Sequence, residues 1–136
     1  MRLVLDTNVL VSGVISASGP PAKIVEAILT GDIEPVFDAS IRLEYDDVLG
    51  RRELSLDPER VALLLDIIDR FGFEVSVPPW PEALPDPDDA PFLAVAAWVG
   101  CPLVTGNLRH FPAKARGGVA LLTPRQFVDG HLARRP

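Results

Sequence analysis

The stretch Arg2-Leu-Val-Leu-Asp-Thr-Asn-Val-Leu10 decides the fold of this chain. A short apolar run, Leu3 to Leu5, ends abruptly at Asp6, and apolar residues resume after Asn8. A buried strand that delivers a carboxylate at its carboxyl end is typical of open parallel α/β sheets, which build their sites along that edge. Asp6 is therefore the first candidate ligand of a divalent-metal centre, and the remaining ligands must come from elsewhere in the chain.

Beyond this stretch, predicted strands alternate with predicted helices. The strands are expected at 2–5, 33–37, 73–77, 103–105 and 119–122, and helices are expected at 22–29, from a cap at Asp38 or Ser40 to Leu49, and at 58–71, 88–99 and 124–132. Residues 13–21 are interpreted as a small-residue loop and residues 78–87 as a proline-rich acidic loop. Short links between alternating elements predict an α/β protein with three α/β/α layers and a central parallel sheet of about five strands.

Composition limits the class of protein. The 136 residues are 48% hydrophobic and 24% charged, which suits a single domain over 1–136 with a substantial core. The apolar runs are too short to span a bilayer, and the N-terminus lacks the pattern of a signal peptide. The one cysteine, Cys101, excludes an internal disulfide framework and fits a reducing cytoplasm. We therefore predict a cytoplasmic protein without a membrane segment.

The net charge of −6 restricts how the chain can meet a partner. It argues against binding nucleic acid through a broad basic face. It does not exclude an enzyme that meets phosphates through bound cations, because such ions change the local charge. An acidic chain also suits a basic protein partner.

Several acids fall at the boundaries of predicted elements. Asp6 ends the first strand, and Glu44 borders the buried face of its helix because its neighbours at three and four residues, Ile41 and Val48, are apolar. Three more acids precede the helix before the fourth strand, and Asn107 follows that strand; the three are Asp86, Asp88 and Asp89. Strand C-termini and adjoining helix N-termini meet along one edge of such a sheet, so these groups can converge.

The ligand types in this set indicate a hard cation. Oxygen ligands without accompanying His or Cys suit Mg²⁺ or Mn²⁺ and not Zn²⁺. Crowded carboxylates repel one another without a cation, whereas with one or two ions they can orient water and neutralise charge on a phosphodiester.

Four motifs together resemble the PIN domain family. They are Val4-Leu-Asp-Thr-Asn-Val-Leu10, Ser40-Ile-Arg-Leu-Glu-Tyr45, Asp86-Pro-Asp-Asp-Ala-Pro-Phe-Leu-Ala-Val-Ala96 and Leu103-Val-Thr-Gly-Asn-Leu-Arg-His-Phe111. Each motif is weak alone, but all four occur in the right order and at the right spacing. The resemblance runs from Arg2 to about Phe127 and is nearest to the stand-alone prokaryotic PIN proteins described as toxins of toxin–antitoxin pairs.

The resemblance implies a PIN-like α/β/α fold and an endoribonuclease that depends on Mg²⁺ or Mn²⁺. It also implies an RNA substrate, a cognate antitoxin protein that inhibits the site, and a homodimer. Matched residue by residue, the catalytic and metal-binding acids are Asp6, Glu44 and Asp89. The polar residues that flank the site in the family correspond to Asn8 and Thr105.

Asn107 departs from the family pattern, because many members carry a fourth aspartate there. An asparagine can still hydrogen-bond but lacks the charge to hold a second cation as tightly. One-metal operation and weak activity are both open, as is a PIN-like module that binds RNA or protein with little catalysis. Asp47 and Asp129 are further acids that could substitute, although their spacing does not indicate it. A small phosphatase or phospho-receiver is a second alternative, but the second aspartate that a phosphatase needs is here Asn8.

Other polar and aromatic residues have two open interpretations each. Arg109 and His110 are candidates for contact with RNA phosphate, or they form a surface turn. Trp80 and Trp98 are expected in the core or a dimer interface, with base stacking as the minor alternative. Asp6 and Asp89 could also serve only as a turn residue and a helix cap.

Overall fold

The computed structural model describes residues 1–132, and residues 133–136, which the predicted domain includes, lie outside the described part. The strands are β1 (Arg2–Leu5), β2 (Glu34–Phe37), β3 (Phe73–Glu74), β4 (Leu103–Val104) and β5 (Leu121–Leu122). The α-helices are α1 (Thr7–Ile15), α2 (Pro20–Thr30), α3 (Ala39–Leu49), α4 (Pro58–Phe71), α5 (Ala90–Val99) and α6 (Pro124–Phe127). Short 3-10 turns cover Arg52–Leu54, Pro87–Asp89 and Leu108–His110, and a π-helical turn covers Val128–Leu132.

The five strands form one parallel sheet in the order β3-β2-β1-β4-β5. Six helices flank the sheet, so the predicted three-layer α/β/α architecture is confirmed. β1 lies in the middle, paired with β2 on one side and β4 on the other, with Leu5 opposite Val104. The direction of strand addition reverses at this β1/β4 pair. Ligand sites in open α/β sheets lie at the carboxyl ends of strands at such a reversal.

The core centres on the middle strands. Leu3, Val4 and Leu5 of β1 and both residues of β4 are fully buried. Strands buried on both faces are continuous apolar runs, as the sequence of β1 is. Among the described residues, none of the helices combines the length and apolar character needed to cross a membrane.

Local sequence signals start the predicted helices. The Asp38 side chain accepts a 2.8 Å hydrogen bond from the Ile41 amide at the start of α3, and Asp57 caps α4 in the same way. Thr123 forms a reciprocal capping box with Gln126 at α6. Such caps satisfy amide donors that have no partner inside the helix. These helix starts agree with the predictions.

The predicted loop over residues 13–21 is wrong, because α1 continues through Gly13 to Ile15 and only residues 16–19 lie outside a helix. Gly13 lies where α1 packs against α2. A Cβ built on Gly13 would stand 2.4 Å from Val25 Cγ2 and 2.5 Å from the Pro21 carbonyl oxygen. The glycine therefore permits close helix packing and does not break the helix.

Four strands are shorter than predicted, by three residues in β3, two in β5 and one each in β2 and β4. β3 ends at Glu74 instead of residue 77, because β2 ends at Phe37 and leaves no partner after the Val75 amide donates to the Phe37 carbonyl. β5 likewise covers only two residues, alongside a two-residue β4. Trp98 is 63% exposed, so it does not lie in the core, and its predicted place in a dimer interface stays a prediction. Trp80 is half-buried, and its indole N–H donates a 2.8 Å hydrogen bond to the Ala115 carbonyl.

Candidate active site

Asp6 lies at the carboxyl end of β1 and is only 6% exposed. Its backbone amide donates to the Val104 carbonyl of β4, and its Oδ2 accepts a 2.7 Å hydrogen bond from the Thr105 hydroxyl. Asp6 occupies the cap position of α1, yet its side chain makes no capping hydrogen bond. The carboxylate is therefore fixed by the neighbouring strand and faces the sheet edge. Burial raises the pKa of Asp6, although the Thr105 hydrogen bond lowers it.

Glu44 reaches the same edge from α3 and is half-buried. The Thr7 hydroxyl, at the first residue of α1, donates a hydrogen bond to Glu44 Oε2. The adjacent Tyr45 is fully buried, and its hydroxyl donates to the Leu5 carbonyl at the end of β1. This contact holds α3 against the strand that carries Asp6. Burial first, and the Asp6 charge as well, raises the pKa of Glu44.

Asp89 ends the 3-10 turn before α5 and is 8% exposed. It occupies the cap position of α5 without a capping hydrogen bond, while Asp86 caps the preceding turn by accepting from the Asp88 amide. Within residues 1–132, Asp89 Oδ2 is a buried oxygen without a hydrogen-bond partner. Burial first, and then the Asp6 charge, raises the pKa of Asp89 to about 6. Helix capping therefore does not explain why a carboxylate lies at this buried position.

The three carboxylates lie close enough to act on one another. The Asp6 charge contributes to the raised pKa of both Glu44 and Asp89, and the Glu44 charge contributes to that of Asp89. A cleft of about 190 Å³ opens beside Glu44 and is lined by Ser40, Ile41, Pro87, Asp88, Pro91 and Phe92. The structure thus brings the three predicted acids to one edge of the sheet, although they are scattered in the sequence.

The predicted polar residues occupy different positions around this cluster. Thr105 contacts Asp6 directly and also accepts a 3.0 Å hydrogen bond from the Asn107 amide. Asn8 is exposed, and its Oδ1 accepts from the Gly106 amide at 3.4 Å. The Asn107 side chain is directed at the His110 ring, with 2.9 Å between Nδ2 and Nε2.

Arg109 is exposed next to His110, and contact of either residue with RNA stays a prediction. Of the two substitute acids, Asp47 pairs with Arg51 at 3.1 Å on the exposed face of α3. Asp129 is exposed in the last described turn. Neither residue contributes to the raised pKa values of the three carboxylates.

Sequence reasoning missed two residues that organise the cluster, Thr7 and Tyr45. Thr7 follows Asp6 directly, at a place where the sequence predicts no helix. Tyr45 follows Glu44 within the same motif. A short polar residue or a tyrosine beside each candidate acid was the available signal, but its partner lies about 40 residues away.

The donor set can be compared with what a divalent cation requires. Within residues 1–132, no group of three or more His, Cys, Asp or Glu side chains is arranged so that it could hold a metal ion. The chemistry of the donor set nevertheless fits Mg²⁺ or Mn²⁺, because three mutually repelling carboxylates provide hard oxygens. A cation would relieve this repulsion.

Cavity size does not locate the site. A cavity of about 510 Å³ lies at the opposite end of the sheet, before β4 and β5, where Cys101, Pro102 and Val119 line it together with small residues. Its lining contains no acid or histidine. The smaller cleft is the better candidate because two acids, Glu44 and Asp88, line it, although Asp6 and Asp89 do not.

An acidic cluster at the carboxyl edge of a parallel α/β/α sheet is compatible with a nuclease-like domain. The sequence model of the PIN domain matches residues 2–109, and the chain belongs to the PIN domain family. PIN domains are in general nucleases, act on nucleic acid and typically use divalent metals. A search of curated proteins finds no significant match to the chain.

Proposed function

We propose that this chain is a divalent-metal-dependent endoribonuclease in which Asp6, Glu44 and Asp89 hold Mg²⁺ or Mn²⁺. The observation that carries the proposal is the convergence of three carboxylates whose pKa values are all raised by burial. Buried like charges are unfavourable unless something neutralises them. Perturbed carboxylates of this kind cluster at functional sites.

The chain's own residues orient these acids. Thr105 holds Asp6 and Thr7 holds Glu44, so each of these two carboxylates has a hydroxyl that limits its rotation. When bound, the cation supplies charge neutralisation for a phosphodiester and activation of an attacking water. The hydroxyls keep the carboxylates in place before the substrate arrives, which lowers the cost of organising the site.

The sequence around the fourth motif supports contact with a phosphate backbone. Residues 90–128 contain no Asp or Glu, although the whole chain has a net charge of −6. The same segment carries Arg109, Lys114, Arg116 and Arg125, and of these Arg109 lies next to the His110 that faces Asp89. Locally positive surface beside an acidic site can hold RNA phosphates on either side of the bond that is cut.

We further propose that the protein is the toxin of a toxin–antitoxin pair and acts in the cytoplasm. The four-motif resemblance to stand-alone prokaryotic PIN toxins supports this role. A groove of about 480 Å³ between the end of α3 and α4 supports binding of an antitoxin segment, because apolar side chains line it beside Arg51 and Arg52. The apolar lining consists of Leu49, Leu56, Pro58, Val61, Ala62 and Leu65.

Exposed Trp98 and Phe71 offer apolar area for a homodimer.

Cleavage of structured RNA with Mn²⁺ or Mg²⁺ tests the nuclease proposal. We expect Asp6→Asn to abolish cleavage, and chelation to do the same. Asp66→Asn is the matched control, since Asp66 lies on the exposed face of α4 and forms an ion pair with Arg70 there. Cleavage that survives both Asp6→Asn and chelation would contradict the proposal. Binding of RNA or antitoxin without any cleavage would instead favour the catalytically weak module.

Induced expression in a bacterial host tests the toxin proposal separately. We expect the wild type to arrest growth and Asp6→Asn to be harmless at the same protein level. Co-expression of a small protein encoded by the neighbouring gene should restore growth. Light scattering of the purified chain, alone and with that protein, measures the oligomeric state. Unimpaired growth at high wild-type levels would contradict the toxin role and leave the nuclease test unaffected.

A further inference from the structure

The segment that follows β4 connects two carboxylates of the site through side chains. Thr105 donates to Asp6 Oδ2 and accepts from the Asn107 amide at 3.0 Å. The Asn107 side chain meets His110 Nε2 at 2.9 Å, and the other ring nitrogen, Nδ1, lies 3.1 Å from Asp89 Oδ2. Asp6 and Asp89 are thus joined by three residues within six positions of one loop.

The contact between His110 and Asp89 is close but incompletely aligned. The 3.1 Å separation is within ion-pair range, yet the ring N–H does not point at Oδ2 closely enough to count as a hydrogen bond. A small rotation of the imidazole would align this N–H with Oδ2. Polar contacts in sites without ligand are often misaligned in this way and tighten on binding.

The contact with Asn107 bears on which nitrogen of His110 carries the proton. If the Asn107 NH₂ faces a neutral ring, Nε2 accepts the hydrogen bond and the proton lies on Nδ1. The opposite orientation of the Asn107 amide would leave the Nδ1 lone pair facing the Asp89 carboxylate at 3.1 Å, where two acceptors repel. The amide orientation that satisfies both ends therefore places N–H against Asp89.

We propose that His110 is a positioning residue for Asp89, held by Asn107 in the Nδ1–H tautomer so that the carboxylate is fixed for a divalent cation. Asn107, at the position of the missing fourth acid, then serves through His110 and not as a ligand. Ligands of bound metals are commonly oriented by hydrogen-bonding partners of this kind. The part that concerns the cation rests on the proposed function, whereas the tautomer does not.

The tautomer can be measured without any metal. Long-range proton–nitrogen correlation spectra of histidine rings distinguish Nδ1–H from Nε2–H. The spectra are recorded with a chelator present at about pH 8, where free imidazoles are neutral. We expect Nδ1–H for His110 in the wild type. An Nε2–H tautomer or an imidazolium in the wild type would overturn the proposal.

A pair of substitutions separates positioning from general damage. In His110→Asn the amide nitrogen takes the place of Nδ1, whereas in His110→Gln the amide reaches only the place of Nε2. We expect His110→Gln to lose about 10-fold or more in Mn²⁺ affinity, measured by calorimetry, and His110→Asn to stay close to the wild type. His131→Gln, at an exposed ring stacked on Phe127, is the control.

The outcomes distinguish the two proposals. Equal affinity in both His110 variants, whether unchanged or equally lost, would overturn the positioning role. A wild type that binds no Mn²⁺ would overturn the proposed function and the cation part of this inference together. The tautomer spectra would still decide the contact between His110 and Asp89 in that case.

Discussion

Thr105 Oγ1 donates a 2.7 Å hydrogen bond to Asp6 Oδ2 and joins two residues that are 99 positions apart in the sequence. The same hydroxyl accepts from the Asn107 amide, so one oxygen satisfies a carboxylate and a backbone donor. Both bonds lie where β1 and β4 end side by side. The hydroxyl therefore fixes the β4 loop to the carboxylate at the centre of the proposed site.

Replacing this hydroxyl should cost stability without changing side-chain size. Thr105→Val leaves Asp6 Oδ2 and the Asn107 N–H without their partner in a buried place, and we expect a loss of about 1–3 kcal/mol in the free energy of unfolding. Urea denaturation of the metal-free protein measures it. Thr105→Ser keeps the hydroxyl and is the control. Equal stability of the Val and Ser variants would show that the hydrogen bond contributes nothing.

The raised pKa of Asp89 makes stability depend on pH. Its pKa is about 6 in the folded chain, because of burial and the Asp6 charge, against an ordinary value of 3.8. Between these values the folded state holds a proton that the unfolded state has lost, so this residue's contribution favours folding at low pH and is lost as pH rises through about 6. Above that pH, the ionised carboxylate destabilises the metal-free chain.

Removing the Asp89 charge should restore the stability that the metal-free chain loses above about pH 6. In a chelator at about pH 8, we expect Asp89→Asn to be more stable than the wild type by on the order of 1–2 kcal/mol, and to show a flatter stability profile down to about pH 4.5. Thermal denaturation across this range measures the difference. Asp66→Asn, on the exposed face of α4, should follow the wild-type profile. A parallel profile for Asp89→Asn would contradict the raised pKa.

Addition of the cation should make the wild type more stable than Asp89→Asn, the reverse of the order expected in a chelator. A ligand at 100 times its dissociation constant stabilises the folded state by about 2.7 kcal/mol, so saturating Mn²⁺ should raise the wild-type Tm by several degrees. Asp89→Asn lacks one proposed ligand, so its Tm should rise little on addition of Mn²⁺. Thermal scans with Mn²⁺ and with chelator measure both. Equal increases in Tm for the two proteins would place the cation elsewhere.

Arg109 provides a test of contact with the RNA backbone. If this exposed side chain neutralises one phosphate, Arg109→Ala should weaken RNA binding and reduce the salt slope of log K by roughly 0.7–0.9. Binding of uncleaved RNA to an Asp6→Asn background, titrated with salt, measures the slope. Arg52→Ala, exposed between α3 and α4, is the control on the groove assigned to the antitoxin. An unchanged slope in Arg109→Ala would assign Arg109 to a surface turn.

The fold could be predicted where the signals are local. Pro20 and Pro58 open helices, Asp38 and Asp57 cap them, and Gly100 ends α5 in the left-handed conformation that glycine favours. The alternation of these helices with short apolar runs was enough for the parallel α/β/α architecture. The lengths of β3 and β5 could not be predicted, because a strand ends where its neighbour does and the neighbour is distant in sequence.

In the candidate site, too, features with a local sequence signal could be predicted and features that depend on distant contacts could not. The acids at Asp6, Glu44 and Asp89 could be proposed because each lies at an element boundary within a recognisable motif. Their hydroxyl partners and the direction of the His110 ring could not, since those contacts depend on how α1, α3 and the β4 loop pack. His110 was proposed for RNA contact, whereas its Nδ1 faces Asp89 in the structure.

Gly13 explains why α1 was not predicted, and it yields a test of the helix packing. Glycine inside a helix is ordinarily less favourable than alanine by about 1 kcal/mol, so Gly→Ala usually stabilises. At Gly13 the added methyl would meet Val25 Cγ2 at 2.4 Å and the rigid Pro21 carbonyl at 2.5 Å, and we expect Gly13→Ala to destabilise by about 1–3 kcal/mol. Gly130→Ala, in the last helical turn with open space around it, should be neutral or stabilising. Urea denaturation compares the two variants, and a stabilised Gly13→Ala would mean that α1 and α2 do not pack this closely.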